Sequence, residues 1–216
     1  IMRRVGWGLF GASLLGMGMA CSGVGGGGSQ RAQDLCAFLE KEYDCPCTPY
    51  GAGSAVTIHD MGIEVLSARP ITTLDSMPEV QSSEERARMK KVENHGLLLE
   101  VAFTNHQPVK SGIDTVMQLH TADGEKWWIQ PFNSRAAMKK DSGDHMDLWE
   151  QPTLGPDRTG TTLMVFPVNP GEEQGAVLHL SHKEKLPDPM DPRGRKKTFV
   201  LEQAVLDLPA LGAPAD

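Results

Sequence analysis

The stretch Gly96-Leu97-Leu98-Leu99-Glu100-Val101-Ala102-Phe103-Thr104-Asn105 decides the fold. Leu97, Leu99, Val101 and Phe103 fall on one side of an extended chain, and Glu100 and Thr104 fall on the other. Alternation with period two is the mark of a strand with one face in a core. Further runs of the same kind lie on either side of it, at 55–59, 63–69, 116–121, 126–130, 161–168, 176–181 and 197–206. Turn residues separate them. Asp60-Met61-Gly62 divides the first pair, and Asp123-Gly124 reads as a hairpin. Gly155-Pro156, Asn169-Pro170-Gly171 and the prolines between 187 and 192 punctuate the rest. Many short strands without a sustained helix predict a mainly β chain, an antiparallel β-sandwich of about seven to eight strands over 54–207. Ser82 and Glu85 form a capping box ahead of 86–92, which predicts a short charged helix inside an insert.

The N-terminal part reads as an address. Arg3 and Arg4 precede an apolar stretch from Val5 to Ala20, and Cys21, Ser22 and the run Gly25 to Gly28 follow. A basic start, a short apolar segment and small residues at its end describe a signal peptide over 1–20. Those 16 apolar-region residues fall short of the ~20 that span a bilayer. Residues 21–33 read as a flexible Gly/Ser linker, 34–53 as a short cysteine-containing segment, and 208–216 as a tail. The formal charge of −7 excludes nucleic acid as the expected partner, because phosphate binding needs a surplus of Lys and Arg.

Cys36, Cys45 and Cys47 lie close together in the chain. In an exported protein a disulfide is the expected use of such residues. Cys45 and Cys47 are a poor pair with each other across Pro46. Cys36, in the helical pattern of Leu35, Phe38 and Leu39, therefore folds back on Cys45 or on Cys47. A three-cysteine metal site is the weaker alternative, since no histidine follows at zinc-site spacing.

Gly18-Met19-Ala20-Cys21 resembles the lipobox of bacterial lipoproteins, with Gly18 departing from the usual leucine. The resemblance implies lipidation of Cys21 and a membrane-held protein, with Ser22 favouring the outer membrane over the inner. Further along come Val56-Thr57-Ile58, Ile63-Glu64-Val65, the 96–105 strand with Val101, Phe103 and Asn105, then Asp123-Gly124 and Leu163-Met164-Val165-Phe166. Over about 54–182 this order resembles an immunoglobulin-like domain of unknown function found in many bacterial lipoproteins, similar in fold to a secreted mycobacterial immunogenic protein. The resemblance implies an immunoglobulin-like sandwich and no catalytic signature. Inserts at 70–95 and 131–153 depart from the compact form, and no Cys after Cys47 could make an inter-sheet disulfide.

Candidate chemistry is sparse. His179 and His182 are spaced like a metal pair, but Leu178 and Leu180 claim the buried face, so His179 is expected to point out to solvent. His182 is expected on the opposite side or past the strand end. Asp141, Asp144, His145 and Asp147 lack the rhythm of a calcium loop and read as a solvated acidic turn. No Gly-x-Ser-x-Gly occurs, and Thr161 stands where a phosphate loop needs Lys. Trp127 and Trp128 must face opposite ways on a strand. The outward one, with Phe132 and Trp149 of the 131–153 insert, is the candidate partner-binding surface. These residues predict a non-catalytic, lipid-anchored envelope protein without a cofactor or metal that binds an envelope protein or other component. The alternative is a periplasmic copper or zinc carrier using His145, Met146 and unpaired thiols.

Overall fold

A computed structural model describes residues 27–71, 95–122, 132–133, 146, 153–191, 193 and 195–214. The described residues form a β-sandwich with one helix. Its elements in order are α1 (Gln30–Tyr43), β1 (Cys47–Tyr50), β2 (Val56–Ile58), β3 (Met61–Ile71), β4 (Gly96–Asn105), β5 (Ser111–Gly112) and β6 (Val116–His120). They continue through β7 (Phe132–Asn133), β8 (Thr153–Leu154), β9 (Thr159–Pro167), β10 (Val177–Pro187) and β11 (Lys196–Asp207). One sheet has the order β2-β3-β4-β9-β7, the other β1-β11-β10-β6, and β5 pairs with β8 in a small ribbon. All pairings are antiparallel except β1 with β11.

The alternation read from the sequence builds the core. Leu97, Leu99, Val101 and Phe103 on β4 meet Leu178 and Leu180 on β10, Leu119 on β6, and Val56, Ile58 and Val65 from β2 and β3 in one buried cluster. Fully burying side chains of this size is worth ~1.5–3 kcal/mol each, so this cluster holds the two sheets together. Leu98, Leu163 and Val165 on the other face of the β4–β9 pair are buried too, so that sheet is not half-solvated as the alternation implied. Asn105 closes β4. Its side-chain amide donates to the carbonyls of Val109 and Leu154 at 2.8 and 2.9 Å, which ties the end of the strand to β8.

Two local expectations change. Asp60-Met61-Gly62 is not the first turn, because Met61 and Gly62 already belong to β3 and pair with Ile58 and Thr57. The turn is His59-Asp60, with φ of 49° and 59°. Positive φ at both central residues is the two-residue hairpin geometry that suits the twist of the strands, and residues other than Gly and Asn enter it at a cost. Gly62 serves instead as a seat for His106, since a Cβ there would meet the imidazole Nε2 at 2.7 Å. The second change concerns β10, which runs to Pro187 instead of ending at Ser181.

The N-terminal region also differs from the linker reading. Ser29 caps α1, accepting from the Ala32 N–H, and it donates its own N–H and hydroxyl to Asp207 at 2.6 Å each. Helix therefore begins at Gln30, inside the stretch read as linker. Ala32, Cys36 and Leu39 form its buried stripe, packed on Val177 and Val205 of the β10–β11 pair, while Phe38 faces outward. Asp44 ends the helix in the left-handed conformation, turning the chain back into β1. Cys36 and Cys47 are joined as a disulfide, with Cα atoms 5.2 Å apart. Cys45 is buried alongside, its thiol donating to the Pro46 carbonyl.

The disulfide closes a loop of sequence separation 11. Loop-closure entropy for that length gives about 2.5–3 kcal/mol. The double substitution Cys36→Ser, Cys47→Ser is expected to lower the urea-unfolding free energy by that order, with α1 loosening first. An unchanged midpoint would show that packing alone holds the helix.

Candidate functional site

Strand β10 carries two histidines on opposite faces, and the structure treats them differently. His179 alternates with Leu178 and Leu180, so it leaves the inter-sheet core as expected. It does not reach solvent, however: its exposure is 0%. Helix α1 lies over that face, and the Tyr43 ring stacks on His179 at 6.5 Å between centroids. The error in the sequence reading lay in taking the outer face of the strand for a wet one.

Under the helix His179 sits in an amide network. Its Nδ1 lies 3.0 Å from Gln118 Oε1 and its Nε2 lies 3.3 Å from Gln203 Oε1. Gln203 in turn donates to the Cys45 carbonyl at 2.7 Å. Burial, reinforced by the neighbouring His120 ring, pushes the His179 imidazole down to about 3. It is a neutral, structural histidine.

His182 has the parity of Leu178 and Leu180 and so points to the inner side, where it is 4% exposed. Just beyond it the β10–β11 register shifts, Lys183 pairing with Val200 while His182 pairs with Glu202. Bulges of this kind bend a strand and re-aim its side chains. Across the sandwich stands the His59-Asp60 turn. Its backbone is held from the opposite sheet, because the His59 N–H donates to Glu202 Oε2 at 2.5 Å. The His59 and His182 rings stack 3.9 Å apart and are nearly parallel, at 4°. Asp114, in the link between β5 and β6, brings Oδ2 to 3.5 Å from His182 Nδ1. The other nitrogen, Nε2, lies 3.1 Å from Glu184 Oε1.

Two imidazoles and a carboxylate at the end of a sandwich are a donor set for a cation of the zinc or copper type. None of His59, Asp114 and Glu184 was singled out from the sequence. The available signal was the phase of His182 with Leu178 and Leu180, which fixes its inward direction once the strand is known to continue.

The residues singled out from the sequence fare unevenly. Cys21, Trp127, Trp128, Trp149 and His145 lie outside the described residues, as do Asp141, Asp144 and Asp147, whereas Met146 is described. Phe132 begins β7, which pairs with β9 opposite Val165. Part of the 131–153 insert is therefore sheet, not loop. Met146 is fixed to β9: its N–H donates to the Thr161 carbonyl at 2.6 Å and its carbonyl accepts from the Thr162 hydroxyl at 2.8 Å. Its sulfur packs over Gly160, where a Cβ would collide with it. Met146 is thus a packing residue, and two of the three thiols that a sulfur-based carrier would need are joined in the disulfide.

No family model matches the chain, and no curated protein matches it. Among solved structures it is similar to the yjhA protein from Bacillus subtilis, at 12% identity over 73% of this chain and 99% of that one, with a TM-score of 0.40.

The buried neutral His179 makes stability depend on pH. Its folded value lies below the ordinary value of 6.5, so the unfolded chain binds the proton first as pH falls. The stability this group contributes is complete above about pH 6.5 and is lost progressively toward pH 3, at about 1.4 kcal/mol per pH unit. Denaturant titrations at pH 7, 6 and 5 should show this decline, with a shallower slope in His179→Asn. Equal slopes in the two proteins would mean that His179 is not the buried titrating group.

Proposed function

We propose that this chain is an exported, lipid-anchored protein of the cell envelope whose immunoglobulin-like sandwich binds a ligand and catalyses nothing. The observation that carries the compartment is the Cys36–Cys47 disulfide, since such bonds persist in oxidising surroundings and are rare in the cytosol. The lipobox-like Gly18-Met19-Ala20-Cys21 supplies the anchor. Among the described residues no helix is long and apolar enough to cross a membrane.

For the binding role, two surfaces are in play. One is the 131–153 insert with Trp127, Trp128, Phe132 and Trp149, proposed from the sequence as the face for an envelope protein. The other is the histidine end of the sandwich. A metal-binding role is favoured there by one observation, the meeting of His59, Asp114 and His182.

Replacing Cys21→Ala in the producing cell is expected to move the protein out of the membrane fraction or to leave its signal uncut. Fractionation and intact-mass measurement read both outcomes. Unchanged processing together with unchanged membrane partitioning would overturn the lipid anchor.

A further inference from the structure

Three side chains from three separate elements converge at one end of the sandwich. His59 comes from the β2–β3 turn, Asp114 from the link before β6, and His182 from β10. One donor atom of each lies within 4.8 Å of the other two. Zinc bonds of ~2.0–2.1 Å in a tetrahedron set neighbouring donors about 3.3 Å apart. The edge from His182 Nδ1 to Asp114 Oδ2, at 3.5 Å, already has this length. His59 is only partly buried and the Asp114 side chain is about half exposed, so both can rotate to close the other edges.

His182 decides the chemistry. Its Nδ1 is buried and makes no hydrogen bond. Its Nε2 lies against the Glu184 carboxylate, and in the neutral tautomer that donates Nε2–H to that carboxylate Nδ1 presents a lone pair. That lone pair faces the oxygen of Asp114 with no hydrogen between them. A cation placed between them takes both as ligands, the buried nitrogen from one side and the half-exposed carboxylate from the other. A carboxylate holding the far nitrogen of a ligating histidine is also the usual support of a metal-bound imidazole.

We propose that His59, Asp114 and His182 bind one divalent transition-metal ion, Zn²⁺ or Cu²⁺, with His182 coordinating through Nδ1 and Glu184 positioning its ring. Two imidazole nitrogens and one carboxylate suit these ions, whereas Ca²⁺ and Mg²⁺ prefer all-oxygen sites. Three protein donors leave a fourth position for water or for a donor from outside the chain. The ion also joins the two sheets, because His59 belongs to one and His182 to the other. This inference names the ligand class of the binding reading above and rests on that reading only for the exported compartment.

The test is titration of the full chain, stripped with chelator, with ZnCl₂ and separately with CuSO₄. Calorimetry should register one equivalent, and the melting temperature should rise, since an ion that binds only the native state stabilises it. Asp114→Asn and His59→Ala are each expected to weaken binding tenfold or more, and Glu184→Ala by about 10–100-fold. Asp114 is exposed, so its variant keeps the test open if His182→Gln fails to fold. Cys45→Ser should leave affinity unchanged. Three results overturn the proposal: no bound equivalent, which would leave an imidazolium–carboxylate pair only; affinity untouched by Asp114→Asn; or affinity lost in Cys45→Ser. Failure here with membrane anchoring intact would sink the metal site and leave the envelope reading standing.

Discussion

The first half of strand β10, Val177 to His182, is covered on both faces, and the rest of the structure follows from that constraint. Leu178 and Leu180 turn inward to the inter-sheet core, while Val177 and His179 turn outward and are equally buried. A sheet with one wet face would need no further layer. This one needs a lid, and α1 supplies it with the stripe Ala32, Cys36 and Leu39. A single 14-residue helix is marginal alone in water. Its position is fixed by the Ser29–Asp207 bonds at its start and by the Cys36–Cys47 disulfide at its middle. The polar groups trapped beneath it, His179, Gln118 and Gln203, then have to satisfy each other.

The same strand divides structural from functional histidine by parity alone. His179, at an odd position, is sealed under the helix and held neutral. His182, at an even position, continues the inward row to the end of the sandwich, where the core gives out and the hairpin turn of the facing sheet approaches. The unusual backbone of that turn, with two residues other than glycine at positive φ, places a second imidazole on the first. Such conformations persist where surrounding contacts over-determine them, and the Glu202 carboxylate on the His59 N–H is one such contact.

Much of the sandwich was legible in the sequence because period two is a local signal. The rows from β4 and β10 identify their own buried faces, and Leu97, Leu99, Val101, Phe103, Leu178 and Leu180 named from them are among the residues that pack together. What stayed hidden was non-local. Nothing in Leu178-His179-Leu180 says that a helix some 140 residues earlier covers the outer face. Likewise Asp60-Met61-Gly62 contains the usual turn residues, yet Gly62 is needed to accommodate His106, and the turn falls one step earlier. The site assembles from turn, link and strand, so its residues carry no spacing that a motif could capture. Cys36, Cys45 and Cys47 were visible as a set, but choosing Cys47 over Cys45 required knowing that β1 runs beside β11.

On the proposed assignment the even face of β10 ends in a metal donor set made only of nitrogen and oxygen. X-ray absorption at the metal edge of the zinc- or copper-loaded chain examines that donor set directly. The predicted spectrum has a first shell of light atoms at ~2.0–2.1 Å, with the outer-shell scattering of two imidazole rings. A sulfur shell near ~2.3 Å would place the ion on a thiol and contradict the account.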